Sequence, residues 1–98
     1  MTKQTLVKMN EEQIATNLES HSEWVELNSQ IQRTFAFDDF VASMKFVNII
    51  AEYAEEVQHH PEMLIRYDKV TLTVSTHDAG GITYKDFELA VKADEVFE

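Results

Sequence analysis

No cysteine occurs in the 98 residues, so a disulfide framework, a cysteine zinc site and a thiol nucleophile are all excluded. Glycine stands only at positions 80 and 81, and proline only at 61. A chain so thinly punctuated is mostly regular structure, without linker or low-complexity stretch. Positive charge is scarce too: eight basic residues face 18 acidic ones, for a formal charge of −10. Those eight, from Lys3 and Lys8 to Lys85 and Lys92, are scattered and form no patch along the sequence. A phosphate backbone or an anionic membrane surface is repelled by such a chain, so direct nucleic-acid or membrane binding is not expected. No apolar run approaches the roughly 20 residues of a membrane span. Residues Met1 to Asn10 lack the apolar core of a signal peptide, and the expectation is a soluble, cytoplasmic protein.

What is present suits one domain spanning 1–98, with an ordinary 44% of apolar residues to build a core. Asn10 followed by Gln13 reads as a capping box, and Ile14 and Leu18 share a face behind it, predicting a helix near 11–19. Two strand-like runs follow, 24–27 and 31–37, with Asn28, Ser29 and Gln30 as a tight turn. Asp38 and Asp39 open a long helix that Pro61 brings to an end near Gln58. That helix carries two apolar stripes, Phe40/Met44/Val47/Ala51/Ala54 and Ala42/Phe46/Ile49/Tyr53, more than one sheet covers. The excess, with Phe46, Ile49 and Tyr53 exposed, predicts a homo-oligomer, dimer or tetramer. Ile65 and Tyr67 precede an alternating run in which Val70, Leu72 and Val74 face inward and Thr71 and Thr73 outward. Thr83 with Asp86 then starts a last helix near 84–96, with Ile82 and Phe87 as its hydrophobic staple. The order α-β-β-α-β-β-α predicts an α+β fold: a four-stranded antiparallel sheet with helices packed on one face.

Three of the four histidines sit at junctions. His59 and His60 lie where the long helix must end, and His77 follows the strand 70–76. If those ends share one edge of the sheet, the three imidazoles converge. Histidine titrates near neutral pH, so such a cluster supplies both a proton donor and a proton acceptor, as a dehydration requires. Two plainer readings stand beside it. Adjacent histidines are ordinary polar surface. Three histidines are also a familiar zinc set, although consecutive ones rarely point at one ion and no fourth ligand stands out. Glu55, one turn before His59, reads either as the acid that fixes the His59 tautomer or as solvated helix surface. Asp86 reads as a capping partner of Thr83. Trp24 reads as a packing residue at a pocket rim.

The stretch Glu55-Glu56-Val57-Gln58-His59-His60-Pro61-Glu62, followed by Tyr67-Asp68-Lys69-Val70, Ser75-Thr76-His77-Asp78-Ala79-Gly80-Gly81-Ile82-Thr83 and Asp86, resembles the signature of the pterin-4a-carbinolamine dehydratases. The spacing of 17 from His60 to His77 agrees, and Trp24 and Phe35-x-Phe37-x-x-Phe40 match upstream, so the resemblance covers about residues 10–97. It implies His59, His60 and His77 as catalytic histidines. It places Gln58, Ser75, Thr76 and Asp78 along the substrate pocket, with Glu55, Pro61 and Trp24 around it, and makes Asp86 an acid that orients a histidine. The implied reaction removes water from 4a-hydroxytetrahydrobiopterin: the hydroxyl leaves C4a, a proton leaves N5, and quinonoid dihydrobiopterin results. This serves tetrahydrobiopterin recycling for aromatic amino acid hydroxylases, with no metal or organic cofactor. Relatives also act as non-catalytic partner-binding or assembly modules, as in transcriptional coactivation, and that remains the competing implication. The chain departs from the pattern at Gln58, an acid in some relatives, at Met63, often Trp, and at the double Gly80-Gly81 turn.

Overall fold

The computed structural model describes residues 6–98. Residues 1–5 lie outside it, so the signal-peptide reading of the first ten residues, and the outer edge of the 1–98 domain, fall partly outside the described residues.

The first helix, α1 (Glu11–Ser20), forms behind the expected capping box: Asn10 accepts from the Gln13 amide, and the Gln13 side chain accepts from the Asn10 amide. Ile14 is its buried residue. A hairpin follows, β1 (Val25–Leu27) and β2 (Gln30–Ala36), with Leu27 opposite Gln30. The turn is one residue tighter than the sequence suggests. Asn28 and Ser29 both take positive φ, 54° and 62°, the two-residue geometry whose twist matches that of paired strands. Gln30 is thereby released into the ladder.

Helix α2 (Phe40–Val57) starts on Asp39, whose carboxylate accepts from the Ala42 amide. Asp38 lies outside the first turn. The two-stripe reading of this helix needs correction. The buried face is a single arc between the stripes, formed by Ser43, Phe46, Val47, Ile50 and Ala54. Phe46 belongs to the chain's own core, tilted against Phe35 and Phe37, and is not an exposed anchor. The flanks are what remain outside: Phe40, Val41 and Ile49 are exposed. Tyr53 is half-buried beneath the Lys92 ammonium, and its phenol pKa is raised by burial and then by Glu88, Glu56 and Glu95. A helix against one sheet and one other helix needs only a modest buried arc, so the apolar flanks of this one exceed the requirement.

Strand β3 (Glu62–Arg66) begins directly after Pro61, turns at Tyr67 (φ 56°), and returns as β4 (Lys69–Val74). The sheet order is β1-β2-β4-β3, antiparallel throughout. Ile31, Phe35, Val70, Leu72 and Val74 point to its inner face and are buried. Thr73, expected outside, does lie on the outer face but is only 9% exposed, because Gln32 reaches across to its hydroxyl at 3.0 Å. Helix α3 (Tyr84–Phe97) completes the fold. Side chains from all three helices meet the inner face in one core, so the sheet is covered on that side.

Trp24 closes one end of this core. It is 2% exposed, meets Phe35 edge-on, and donates its indole N–H to Asp94 at 2.9 Å. Asp94 also takes Arg33, whose guanidinium lies over the Phe35 and Phe97 rings. Trp24→Phe is expected to lower stability by about 1.5–3 kcal/mol, the worth of one hydrogen bond to a charged acceptor. Urea unfolding checks this, and an unchanged midpoint would mean the indole bond contributes nothing.

Candidate active site

The site begins where α2 is forced to stop. Pro61 cannot continue a helix. Gln58 adopts the left-handed conformation (φ 54°, ψ 47°), and its amide bonds the Ala54 carbonyl, as does the amide of His59 at 3.1 Å. This reversal swings His59 inward. Its side chain is largely buried, and Nε2 lies 2.6 Å from Asp86 Oδ1.

Asp86 is fully buried at the start of α3, and each of its oxygens is occupied. Oδ2 accepts from the Thr83 amide at 2.8 Å and from the Thr76 hydroxyl at 2.9 Å. The Thr83 hydroxyl then donates to Thr76 Oγ1 at 2.7 Å and itself accepts from the Lys85 amide. A carboxylate so placed gains from three donors and from the positive end of the helix, which together offset its burial. Asp86 therefore caps α3, and its other oxygen contacts His59. An ionised carboxylate only accepts, so against an ionised Asp86 the His59 ring donates from Nε2, and a neutral ring in that arrangement has its lone pair on Nδ1.

Glu55 is found on a different histidine from the one expected. It contacts His60, with Oε2 2.6 Å from Nε2, and not His59. The helical spacing that suggested His59 ends at Val57, and beyond the left-handed Gln58 it is His60 that comes back under Glu55. This pair is exposed, with 55% of the His60 side chain accessible. His77 opens a short 3-10 turn (His77–Ala79) and is also exposed. It lines an open cleft of about 330 Å3 with Ser75, Gly80, Gly81, the β1–β2 turn residues Asn28 and Ser29, and Gln30 at the start of β2.

No hydrogen bond or ring contact joins any two of these three histidines, and among the described residues no three His, Asp or Glu side chains form a metal-binding group. The connection is through Thr76. It holds Asp86 by its hydroxyl, precedes His77, and bridges to Gly81 by two backbone bonds. The fourth histidine, His21, stacks on Phe87. Ser75 is half-buried beside the cleft, Asp78 is exposed next to His77, and Pro61 is half-buried. Gln58 spends its amide on the Glu55 carbonyl. Thr76 is a buried support with little surface to offer a ligand, and Trp24 is a core residue, not a rim residue. Asn28, Ser29 and Gln30 were not anticipated as cleft residues. A turn reveals its own shape in sequence but not which distant loop it faces.

A family model for pterin 4 alpha carbinolamine dehydratase matches residues 7–96. The chain belongs to the pterin 4 alpha carbinolamine dehydratase family. It is 42% identical over 89 residues to a Picosynechococcus protein provisionally assigned as such a dehydratase, covering 91% of this chain and 97% of that one. A Herpetosiphon aurantiacus protein with the same provisional assignment is 49% identical over 80 residues, covering 82% and 83%. Among solved structures, the transcriptional coactivator/pterin dehydratase from Brucella melitensis superimposes with a TM-score of 0.90 at 30% identity, covering 93% of this chain and 99% of that one. A pterin dehydratase-like RuBisCO assembly factor of the alpha-carboxysome shares the fold, with a TM-score of 0.66 at 22% identity over 78% and 90%. The fold is thus shared by a transcriptional coactivator/pterin dehydratase and by an assembly factor.

Proposed function

We propose that this protein is a 4a-hydroxytetrahydrobiopterin dehydratase. It eliminates water from the carbinolamine by histidine acid–base catalysis, with no metal or organic cofactor. The observation that carries the reading is Asp86, which orients His59 with one oxygen and holds the base of the His77 turn, through Thr76, with the other. His60 has its own carboxylate in Glu55. Two imidazoles with Nε2 committed to carboxylates keep Nδ1 for the substrate. A neutral ring takes a proton there and a protonated ring gives one. In the reaction one imidazole gives its proton to the departing C4a hydroxyl and another accepts the N5 proton, so that water leaves and the C4a–N5 double bond forms. Ser75, Asp78, Gln58 and Pro61 supply the polar and shape contacts around the ring, and Glu55 and Asp86 act through the histidines they hold.

The direct test follows carbinolamine dehydration by absorbance, corrected for the spontaneous rate. Acceleration is expected with and without a chelator. Loss of activity on chelation would replace the acid–base reading with a metal-bound hydroxide.

The protein is further proposed to work as a homo-oligomer in the cytoplasm, in the recycling of a tetrahydropterin used by aromatic amino acid hydroxylases. The support for assembly lies in the exposed apolar side chains of α2, Phe40, Val41 and Ile49, which the chain's own core does not cover. Sedimentation at micromolar concentration is expected to give a dimer or tetramer, and a clean monomer would sink the assembly reading.

The competing reading, a non-catalytic partner or assembly module, draws on the same exposed side chains and on the likeness to a transcriptional coactivator/pterin dehydratase. It requires no histidine chemistry. Wild-type protein that left the spontaneous rate unchanged would favour it.

A further inference from the structure

Gly80 and Gly81 are glycines for different reasons. Gly80 has φ +80° with open space where a Cβ would stand, so its backbone conformation demands glycine. Gly81 is buried and does not take a positive φ. A Cβ there would lie 2.7 Å from Cδ and 2.9 Å from Cγ of Lys8. What excludes a side chain at 81 is the stem of a lysine arriving from the opposite end of the chain. The neighbouring Met9 amide donates to the Ile82 carbonyl at 2.8 Å, so the segment is tied down one residue beyond the fit. Gly81 in turn exchanges backbone bonds with Thr76, 2.8 Å in one direction and 3.3 Å in the other. It also forms the common wall of two clefts, one lined by His77 and the other by Lys8.

We propose that Lys8 and Met9 form a strap seated on Gly81 that fixes the His77 turn, which makes Lys8 a positioning residue for the site. The hydrocarbon stem does this, packing on the glycine while the ammonium stays in water. The strap bears on Gly81, Gly81 on Thr76, and Thr76 on both His77 and the Asp86–His59 pair. The inference rests on the reading of His77 as a catalytic group only for its effect on rate. Its structural half stands independently.

Three variants separate the possibilities. Lys8→Met keeps the stem and removes the charge, Lys8→Ala removes the stem, and Gly81→Ala evicts it. Amide exchange at Gly80 and Gly81, and the His77 imidazole titration followed by NMR, report the seat without reference to activity. Lys8→Ala and Gly81→Ala are expected to speed exchange at Gly81 by about fivefold or more, the worth of one or two lost methylene contacts. Lys8→Met should match wild type. The double variant should be no worse than Gly81→Ala alone, because both act on one contact. In dehydration assays kcat should follow the same order. Unchanged exchange in both Lys8→Ala and Gly81→Ala would overturn the proposal, as would a Lys8→Met as defective as Lys8→Ala, or singles whose effects simply multiply. If exchange changes as expected while wild type shows no dehydration above the spontaneous rate, the strap stands and the dehydratase reading falls.

Discussion

His60→Ala and His77→Ala are each expected to lower kcat for carbinolamine dehydration by about 10²–10⁴, the usual worth of a positioned general acid or base. Both side chains are exposed, and neither holds up the core. Their removal should change stability by no more than about 0.5 kcal/mol, as for other surface sites. That makes the experiment clean: a large rate loss with an unchanged urea midpoint is chemistry, not folding. A carbinolamine loses water readily unaided, so the rates must be corrected for the background. Full activity in both variants would remove these histidines from the mechanism. His59→Ala is a poorer probe, because it strips a fully buried carboxylate of its partner and lowers stability along with activity.

The second large effect belongs to Asp86. Asp86→Ala leaves three donors without an acceptor: the Thr83 amide, the Thr76 hydroxyl and His59 Nε2. It also removes half of a capping box. At about 1–3 kcal/mol for an unsatisfied buried group, partly relieved by water, the loss should reach about 3–5 kcal/mol. That is a large share of a small domain's typical 5–15 kcal/mol, and urea unfolding reads it. Asp86→Asn is the more informative change. If its oxygen stays on the Thr83 and Thr76 donors, its NH2 group faces His59 Nε2, which must then accept. The His59 proton moves to Nδ1, and the ring loses the lone pair proposed to act on substrate. The expected result is a kcat lower by about 10² or more in a folded protein, with the switched tautomer visible in nitrogen NMR. A variant that switches tautomer yet keeps full kcat would exclude His59 from proton transfer.

Much of this molecule is determined locally. Asn10 with Gln13, Asp39, and Thr83 with Asp86 each cap a helix, because the interacting groups lie three residues apart and need nothing else in place. Pro61 ends α2 for equally local reasons, and the alternation of Val70, Leu72 and Val74 sets the inner face of β4 by the strand's period of two. From these the α+β order follows.

What tertiary structure alone decided concerns direction and distance. Helical spacing paired Glu55 with His59, but a left-handed residue at Gln58 handed Glu55 to His60 and turned His59 toward α3. Periodicity made Phe46 an exposed anchor, yet the sheet and α3 approach α2 between its stripes and bury Phe46 there. The role of Trp24 depended on Asp94, 70 positions away, and that of Gly81 on Lys8. Three-residue spacings are fixed by backbone geometry, whereas contacts across the chain exist only after the sheet has brought its ends together. The sequence therefore marked the histidines proposed to carry the chemistry, and the fold decided which carboxylate His59 and His60 each hold.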